Sequence, residues 1–250
     1  TTGDKKYLHL ANIIINNRGR KRGEIARTEW GRKLGGTDLN QDRIALRNSS
    51  EVVGHAVFYT YLYAGATDVF METGDRSLLE PLERLWLDLT QKKMQVTGGV
   101  CPVHKGLSAH TYKPGELSIT NDEVHEAAAM PFDLPNATAY NETCGQVGNL
   151  MWNWRMLFVT GEARFADVME LNLYNSILSG VGIDGKGWSY TNPLRWHGPQ
   201  HVLLSNDAHQ RFDPGHRHIC CPTNVLRTVA KMHGYAYSSS KEGLWVHHYG

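Results

Sequence analysis

The sequence predicts an all-α fold, a ring of antiparallel helix hairpins, from three observations. Apolar residues recur at intervals of three and four along most of the chain. Thr2-Gly3-Asp4, Thr73-Gly74-Asp75 and Thr160-Gly161-Glu162 each stand before an amphipathic stretch, and the last two also follow one. Glycine ends a helix and the following acid caps the next, so such a turn joins two helices. The copies lie 71 and 87 residues apart, too unequal for a strict solenoid but suited to helix pairs with loops of variable length. A coincidental recurrence of a common turn would look the same. Strand-like alternation is confined to the last residues, through Leu244, Val246 and His248.

The first element runs from Thr2 to Asn17, with Tyr7, Leu8, Leu10, Ala11, Ile14 and Ile15 on one face. Residues 18–48 are polar, basic and glycine-containing and read as a long loop. A second helix is expected over about Ser50–Ala64, with His55 at the edge of its apolar stripe and a short helical stretch over Asp68–Glu72. A third runs from Arg76 to about Lys93, with Leu78, Leu82, Leu85 and Leu89 inward; Pro81 sits early, where it does least harm. From Val96 to Asn141 the period is lost. This section carries His104, His110, Glu116, Asp122, Glu123, His125 and Glu126. Loops rich in ionisable groups suit acid–base chemistry, although His104, His110 and Glu116 read as solvated. Helices are expected again over Thr143–Val159, about Ala163–Gly180 and about Pro222–His233, with a strand or turn pair around Gly187–Tyr190.

Composition narrows the function classes. Lys+Arg total 26 and Asp+Glu 25 in 250 residues, so there is no basic footprint for nucleic acid and no polybasic membrane face. No apolar run reaches the roughly 18 residues of a membrane span. Four cysteines are too few for a disulfide scaffold. The seven Trp and eleven Tyr mostly fill core positions, with some left for stacking on sugars. The start, Thr1-Thr2-Gly3-Asp4, reads as the interior of a longer polypeptide.

Glu142-Thr143-Cys144 and Cys220-Cys221-Pro222-Thr223-Asn224 together offer three thiols and one carboxylate. That is a four-ligand set for a borderline-soft cation, zinc above all. Both segments fall at expected helix starts, where partial positive charge favours thiolate and carboxylate. Other uses of these thiols remain open. Buried cysteine also serves as a small apolar filler, and Cys144 could form a disulfide with one of the pair. The adjacent cysteines themselves would close only a strained ring.

Five segments carry a resemblance to a known family: Gly54-His55-Ala56-Val57, Val96-Thr97-Gly98-Gly99, Asp133-Leu134-Pro135-Asn136 running through Tyr140 to Glu142-Thr143-Cys144, Tyr190-Thr191-Asn192-Pro193-Leu194, and Cys220-Cys221-Pro222. In this order they resemble the β-L-arabinofuranosidase-like enzymes of glycoside hydrolase family 127. The resemblance implies an (α/α)6-barrel catalytic domain over residues 1–238, here a fragment, and the start of a β-sandwich region over 239–250. It implies a retaining glycosidase for plant cell-wall glycans, with Zn2+ held by Glu142, Cys144, Cys220 and Cys221. It makes Cys220 or Cys221 the nucleophile, with Cys221, the one directly before Pro222, the expected one of the two, makes Glu126 the acid/base, and gives His55, Glu170 and Tyr190 contacts to the sugar or to the side chains around it. At the acid/base position the family pattern is Gly-Glu-Ala, whereas this chain has His125-Glu126-Ala127 after a longer insertion, which keeps Glu123 as a rival. The expected partner is an oligosaccharide or glycan, and the expected compartment periplasmic or extracellular; oligomeric state is left open. Two other classes fit the residues less fully: a carbohydrate-binding or scaffold module with a structural zinc, and a helical-ring polysaccharide lyase or uronyl hydrolase.

Overall fold

Capping chemistry sets the helix boundaries. The computed structural model describes residues 2–20, 38–107, 123–195, 212 and 219–249. Helix α1 (Lys5–Asn16) starts where the Asp4 carboxylate accepts from the Lys6 amide at 3.0 Å. Helix α2 (Ala56–Thr73) ends at Gly74 (φ +68°), and α3 (Arg76–Asp88) begins at Asp75, whose side chain accepts from the Ser77 amide. The same turn recurs between α4 (Thr143–Thr160) and α5 (Ala163–Asn172), with Gly161 at φ +71° and Glu162 at the cap position, its side chain paired with Arg164 and not capping the helix. The left-handed backbone of these glycines ends one helix and turns the chain into the next.

Three boundaries differ from the sequence reading. The helices expected over 50–64 and 68–72 are one continuous α2 that starts only at Ala56. Gly54 has φ +91°, and a Cβ there would lie 2.0 Å from the Asp38 carbonyl oxygen, so the chain cannot be helical before His55. Helix α6 (Cys220–Ala236) starts two residues before Pro222 and therefore takes both cysteines into its first turn. The section over 96–141 contains an antiparallel hairpin, β1 (Val103–Leu107) with β2 (Glu123–Ala127), in the register Val103↔Ala127 and Lys105↔His125. Its strands are too short for an alternating pattern to stand out. His110, Glu116 and Asp122, named above from the sequence, lie outside the described residues. A second hairpin, β3 (Tyr237–Ser240) with β4 (Gly243–Val246), follows α6 directly.

The core is the α2–α4 contact with α3 and α5 laid against it. Gly148 lets the two backbones close up, since a Cβ there would sit 2.1 Å from the Thr60 hydroxyl. Tyr59, Tyr63 and Trp152 are buried at the contact, and Trp86 Nε1 donates to Asn153 Oδ1 at 2.7 Å. Leu78, Leu82 and Leu85 of α3 are fully buried, each contributing about 1.5–3 kcal/mol by leaving water. Among the described residues no helix is long and apolar enough to cross a membrane. The described chain is mostly helical, and this packing fixes the N-terminal ends of α2, α4 and α6.

Candidate active site and metal centre

Glu142, Cys144, Cys220 and Cys221 come together at the starts of α4 and α6. Their ligand atoms all lie within 4.8 Å of one another. Cys144 Sγ is 3.4 Å from Cys221 Sγ, which in turn is 4.0 Å from Cys220 Sγ. These are not bonded sulfurs, and all four cysteines are free. A tetrahedron with zinc–sulfur bonds of roughly 2.3 Å has edges of about 3.8 Å, a value the two separations bracket. Glu142 sits at the N-cap of α4 yet does not cap it. Its carboxylate is 3% exposed, and its Oε2 is buried with no hydrogen-bond partner. Burial, with the nearby Glu126 charge, raises its pKa to about 8. A buried carboxylate with an unsatisfied oxygen beside three thiols is costly alone. It fits a divalent cation of zinc type.

The three thiols are not equivalent. Cys221 is 1% exposed and Cys144 is buried, whereas Cys220 is exposed. Contacts from the Cys144 and Cys221 thiols favour ionisation of Cys220 and take its pKa down to about 2. The same sharing, with burial, pushes Cys221 up. Asn224, one turn into α6, supports this wall: its side chain meets the Cys144 sulfur, and its Oδ1 accepts from Arg227 at 2.7 Å.

A second group forms around Glu126. This side chain is 5% exposed, and its backbone is left-handed at φ +51°. A non-glycine residue in that region costs on the order of 1–2 kcal/mol. Glu126 Oε1 accepts from the hydroxyls of Tyr140 and Tyr190, each at 2.9 Å, and Oε2 is 2.5 Å from His55 Nε2. Burial alone would raise its pKa, but donors at His55, Tyr190 and Tyr140 together outweigh it and bring it down to about 2. His55 Nδ1 accepts from the Val57 amide at 3.2 Å, so the ring carries its proton on Nε2 and donates it to Glu126. His55, His125 and Glu126 also offer ligand atoms within 4.8 Å of one another, but that proton leaves His55 no lone pair toward a cation. The cluster is a hydrogen-bonded acid–base group.

Tyr190 ties the two groups together, donating to Glu126 and meeting the Glu142 carboxylate as well. The surrounding backbone is laced across chain segments. Thr143 N donates to Tyr190 O at 2.9 Å, Asn192 N to Tyr140 O at 2.9 Å, and Asn192 Nδ2 to Asn141 O at 2.9 Å. That explains why the Tyr190–Pro193 and Tyr140–Cys144 segments carry recognisable residues. Gln146 extends the lacing by accepting from the Val100 amide at 3.0 Å.

Glu170, expected at the sugar, lies on α5 with its side chain 61% exposed and its carboxylate 3.7 Å from His248 Nδ1. His104, read as solvated, is part of the site. It falls opposite Glu126 in the hairpin, stacks on Tyr140 at 4.4 Å and 2°, and faces His125 Nε2 to Nε2 at 2.9 Å. The sequence also did not single out Tyr140. Its one signal was its position two residues before Glu142. The rival acid/base Glu123 opens β2, and its side chain lies outside the described residues.

Comparison with known proteins agrees with this geometry. Residues 1–234 match the family model described as the β-L-arabinofuranosidase, GH127 catalytic domain. The chain is 28% identical over 261 residues to a non-reducing end β-L-arabinofuranosidase of Bifidobacterium longum subsp. longum, spanning 98% of this chain and 36% of that protein. It resembles a solved glycoside hydrolase with TM-score 0.84 and 38% identity, over 100% of this chain and 38% of that one. It also resembles a GH127 β-L-arabinofuranosidase from Geobacillus stearothermophilus T6, with TM-score 0.79 and 33% identity, over 99% of this chain and 37% of that one. The chain thus spans between a third and two fifths of the length of these relatives. With the family model covering nearly all of the chain, the protein belongs to the GH127 β-L-arabinofuranosidase catalytic-domain family.

Proposed function

We propose that this chain is the catalytic part of a retaining glycoside hydrolase that releases β-L-arabinofuranose from plant cell-wall glycans. The observation that carries this reading is the Tyr190 hydroxyl, which joins the Glu126 carboxylate to the carboxylate of the three-thiol centre. An exposed sulfur and a buried carboxylate thereby share one site. The chain would form part of an (α/α)6 barrel ending near residue 238, with a β-rich domain following. Support for these bounds is the run of helix pairs up to Ala236 and the hairpin after it.

Cys220, rather than the Cys221 expected from the sequence, is proposed as the nucleophile. Attack requires a sulfur that a sugar can reach in line. Cys221 is enclosed on all sides, while Cys220 is exposed and is the thiol its neighbours leave ionised. Glu142, Cys144, Cys220 and Cys221 would hold zinc, which keeps thiols ionised near neutral pH and fixes the sulfur in place. The Cys220 sulfur forms a bond to the anomeric carbon as the bond to the leaving oxygen breaks. Glu126 gives that oxygen its proton. Glu126 then takes a proton from water, the water oxygen bonds to the anomeric carbon, and the carbon–sulfur bond breaks. Two displacements retain the configuration. Tyr140, Tyr190 and His55 hold Glu126 in the one orientation that serves both halves.

The test uses the full-length enzyme with an aryl β-L-arabinofuranoside under reducing conditions. Wild type is expected to release the aryl group with retention, and zinc-loaded Cys220→Ser to release none. Equal release by both, or an inverted sugar product, would overturn the reading.

A further inference from the structure

Two stretches of chain meet beside the thiol–carboxylate centre, and each carries one side chain of the site. In the first, Glu142 stands between Asn141 and Thr143. In the second, Tyr190 stands between Ser189 and Thr191-Asn192. The side chain of Asn192 bonds across the join twice. Its Nδ2 donates to Asn141 O at 2.9 Å and to Thr143 Oγ1 at 2.9 Å, so its two acceptors bracket Glu142. Thr143 Oγ1 passes the link on by donating to Ser189 O at 2.8 Å, and Ser189 and Asn192 thereby bracket Tyr190. The direction of the Asn192 amide is fixed: Asn141 O is a backbone carbonyl and only accepts, so the NH2 of Asn192 faces it.

We propose that Asn192 is a positioning residue that sets the Glu142 carboxylate toward the cation and the Tyr190 hydroxyl toward Glu126 at once. This rests on the reading of the centre as a zinc site and of Glu126 as the acid/base. Glu142 does not cap α4, and its Oε2 has no hydrogen-bond partner of its own, so its direction follows from its backbone. That backbone enters α4 through Asn141, which is left-handed at φ +46° and 1% exposed. A non-glycine residue keeps such a conformation only where its neighbours hold it. Here the hold is reciprocal. Asn141 Nδ2 donates to Asn192 O at 3.4 Å, while Asn192 gives Nδ2 to Asn141 O and its own backbone N–H to Tyr140 O at 2.9 Å. Asn141 Oδ1 and Asn192 Oδ1 are both buried without a hydrogen-bond partner among the described residues. Buried idle oxygens are costly, so the two amides serve through their N–H groups. Tyr190 is fixed from the same point. Its carbonyl accepts the Thr143 amide at 2.9 Å, and its hydroxyl reaches Glu126 Oε1 at 2.9 Å.

The experiment compares wild type, Asn192→Leu, Thr143→Val and, as a control for lost stability alone, Leu82→Ala from the buried face of α3, all in the full-length enzyme. Leucine and valine keep the volume and remove the donor and the hydroxyl. Zinc affinity is read by competition with a chelator on protein whose thermal melt shows it folded. Asn192→Leu should bind zinc about ten-fold or more weakly, Thr143→Val should shift the same way, and Leu82→Ala should match wild type. If Asn192→Leu does not fold, Thr143→Val carries the same comparison. At saturating zinc, kcat is read on a methyl β-L-arabinofuranoside, whose leaving oxygen needs a proton, and on the 4-nitrophenyl glycoside, whose leaving group does not. Asn192→Leu should lose about ten-fold more on the first than on the second. Wild-type zinc affinity in the variants, or an equal weakening in Leu82→Ala, would overturn the hold on Glu142. Equal loss on the two substrates would overturn the hold on Tyr190. A wild type that binds no zinc or cleaves neither glycoside would remove the reading of the site itself, and the role of Asn192 with it.

Discussion

One imidazole, His55, starts helix α2 and holds Glu126. Its Nδ1 accepts the Val57 amide at 3.2 Å and its Nε2 lies 2.5 Å from Glu126 Oε2. Helix capping and site geometry therefore share one side chain, and substitutions can separate them. Asparagine is a good N-cap but too short to reach Glu126. His55→Asn is expected to melt within about 1 kcal/mol of wild type while losing most of its activity. His55→Ala should lose both, the cap costing about 1 kcal/mol more. Thermal melts alongside turnover check the split; parallel losses in His55→Asn would show that the cap alone matters.

Gly54 sets the position of that ring. Its φ is +91°, and an added Cβ would meet Asp38 O at 2.0 Å and Gln41 Nε2 at 2.2 Å. Gly54→Ala must shift the 38–41 turn or the His55 backbone, whose N–H donates to Leu39 O at 3.2 Å. A destabilisation of at least about 2 kcal/mol is expected, with activity falling further than stability explains. Denaturant midpoints measure the first and kcat the second.

What could be read from the sequence follows how local each signal is. The Thr-Gly-acid turns are local, and their glycines are left-handed as the repeat implied. Glu142, Cys144 and the cysteine pair declare their chemistry by residue type, so their meeting was legible before any coordinates. Which sulfur faces outward was not, because α6 begins two residues before Pro222 and the helical phase of that first turn decides it. His104 stayed hidden because its partner His125 is twenty-one residues away across a hairpin with five-residue strands.

The thiols should report the difference between Cys220 and Cys221. In the holoenzyme a thiol reagent should find little to label. After chelation Cys220 should react first and Cys221 slowest, since one is exposed and the other 1% exposed. Cys220→Ser should lower turnover by at least about a thousand-fold with modest loss of zinc. Cys221→Ser should lose metal and stability together. Metal analysis and peptide mapping of the labelled thiols distinguish the two; preferential labelling of Cys221 would reverse the assignment.

Acid should reveal the Glu126 hydrogen bonds. Its folded pKa, about 2, lies below the ordinary 4.5, so the unfolded chain binds the extra proton between those values. Stability from this group is fully present above pH 4.5 and is lost as pH falls toward 2. The span corresponds to roughly 3 kcal/mol. Glu126→Gln removes that dependence, so the two denaturation curves should approach each other as pH drops from about 5 to 2. Parallel curves across that range would show that Glu126 is not held by its three donors.

The loop that leads to His55 is anchored by a buried charge pair, which gives the last prediction. Lys93 is fully buried, and its Nζ donates to Val52 O at 2.7 Å and lies 3.5 Å from Asp88 Oδ2. The same Asp88 Oδ2 accepts from Val52 N at 2.8 Å. Both polar groups of one backbone residue are thus satisfied by the pair, two residues before Gly54. Burial lowers the Lys93 pKa while Asp88 and Glu51 oppose the shift. Lys93→Met leaves Val52 O without its donor and leaves Asp88 with the Val52 amide and, as its remaining cation among the described residues, the half-exposed Lys92, 3.1 Å away. Breaking one side of a buried pair costs about 3–5 kcal/mol. Lys93→Met with Asp88→Leu removes both charges, so the double variant should be less unstable than the sum of the singles. A double-mutant cycle on denaturant midpoints measures that coupling, and turnover of the double variant shows whether the pair matters to the site. Additive single effects would mean that Lys93 and Asp88 support Val52 independently; stability restored without activity would mean that the charges, beyond filling space, fix the approach to His55.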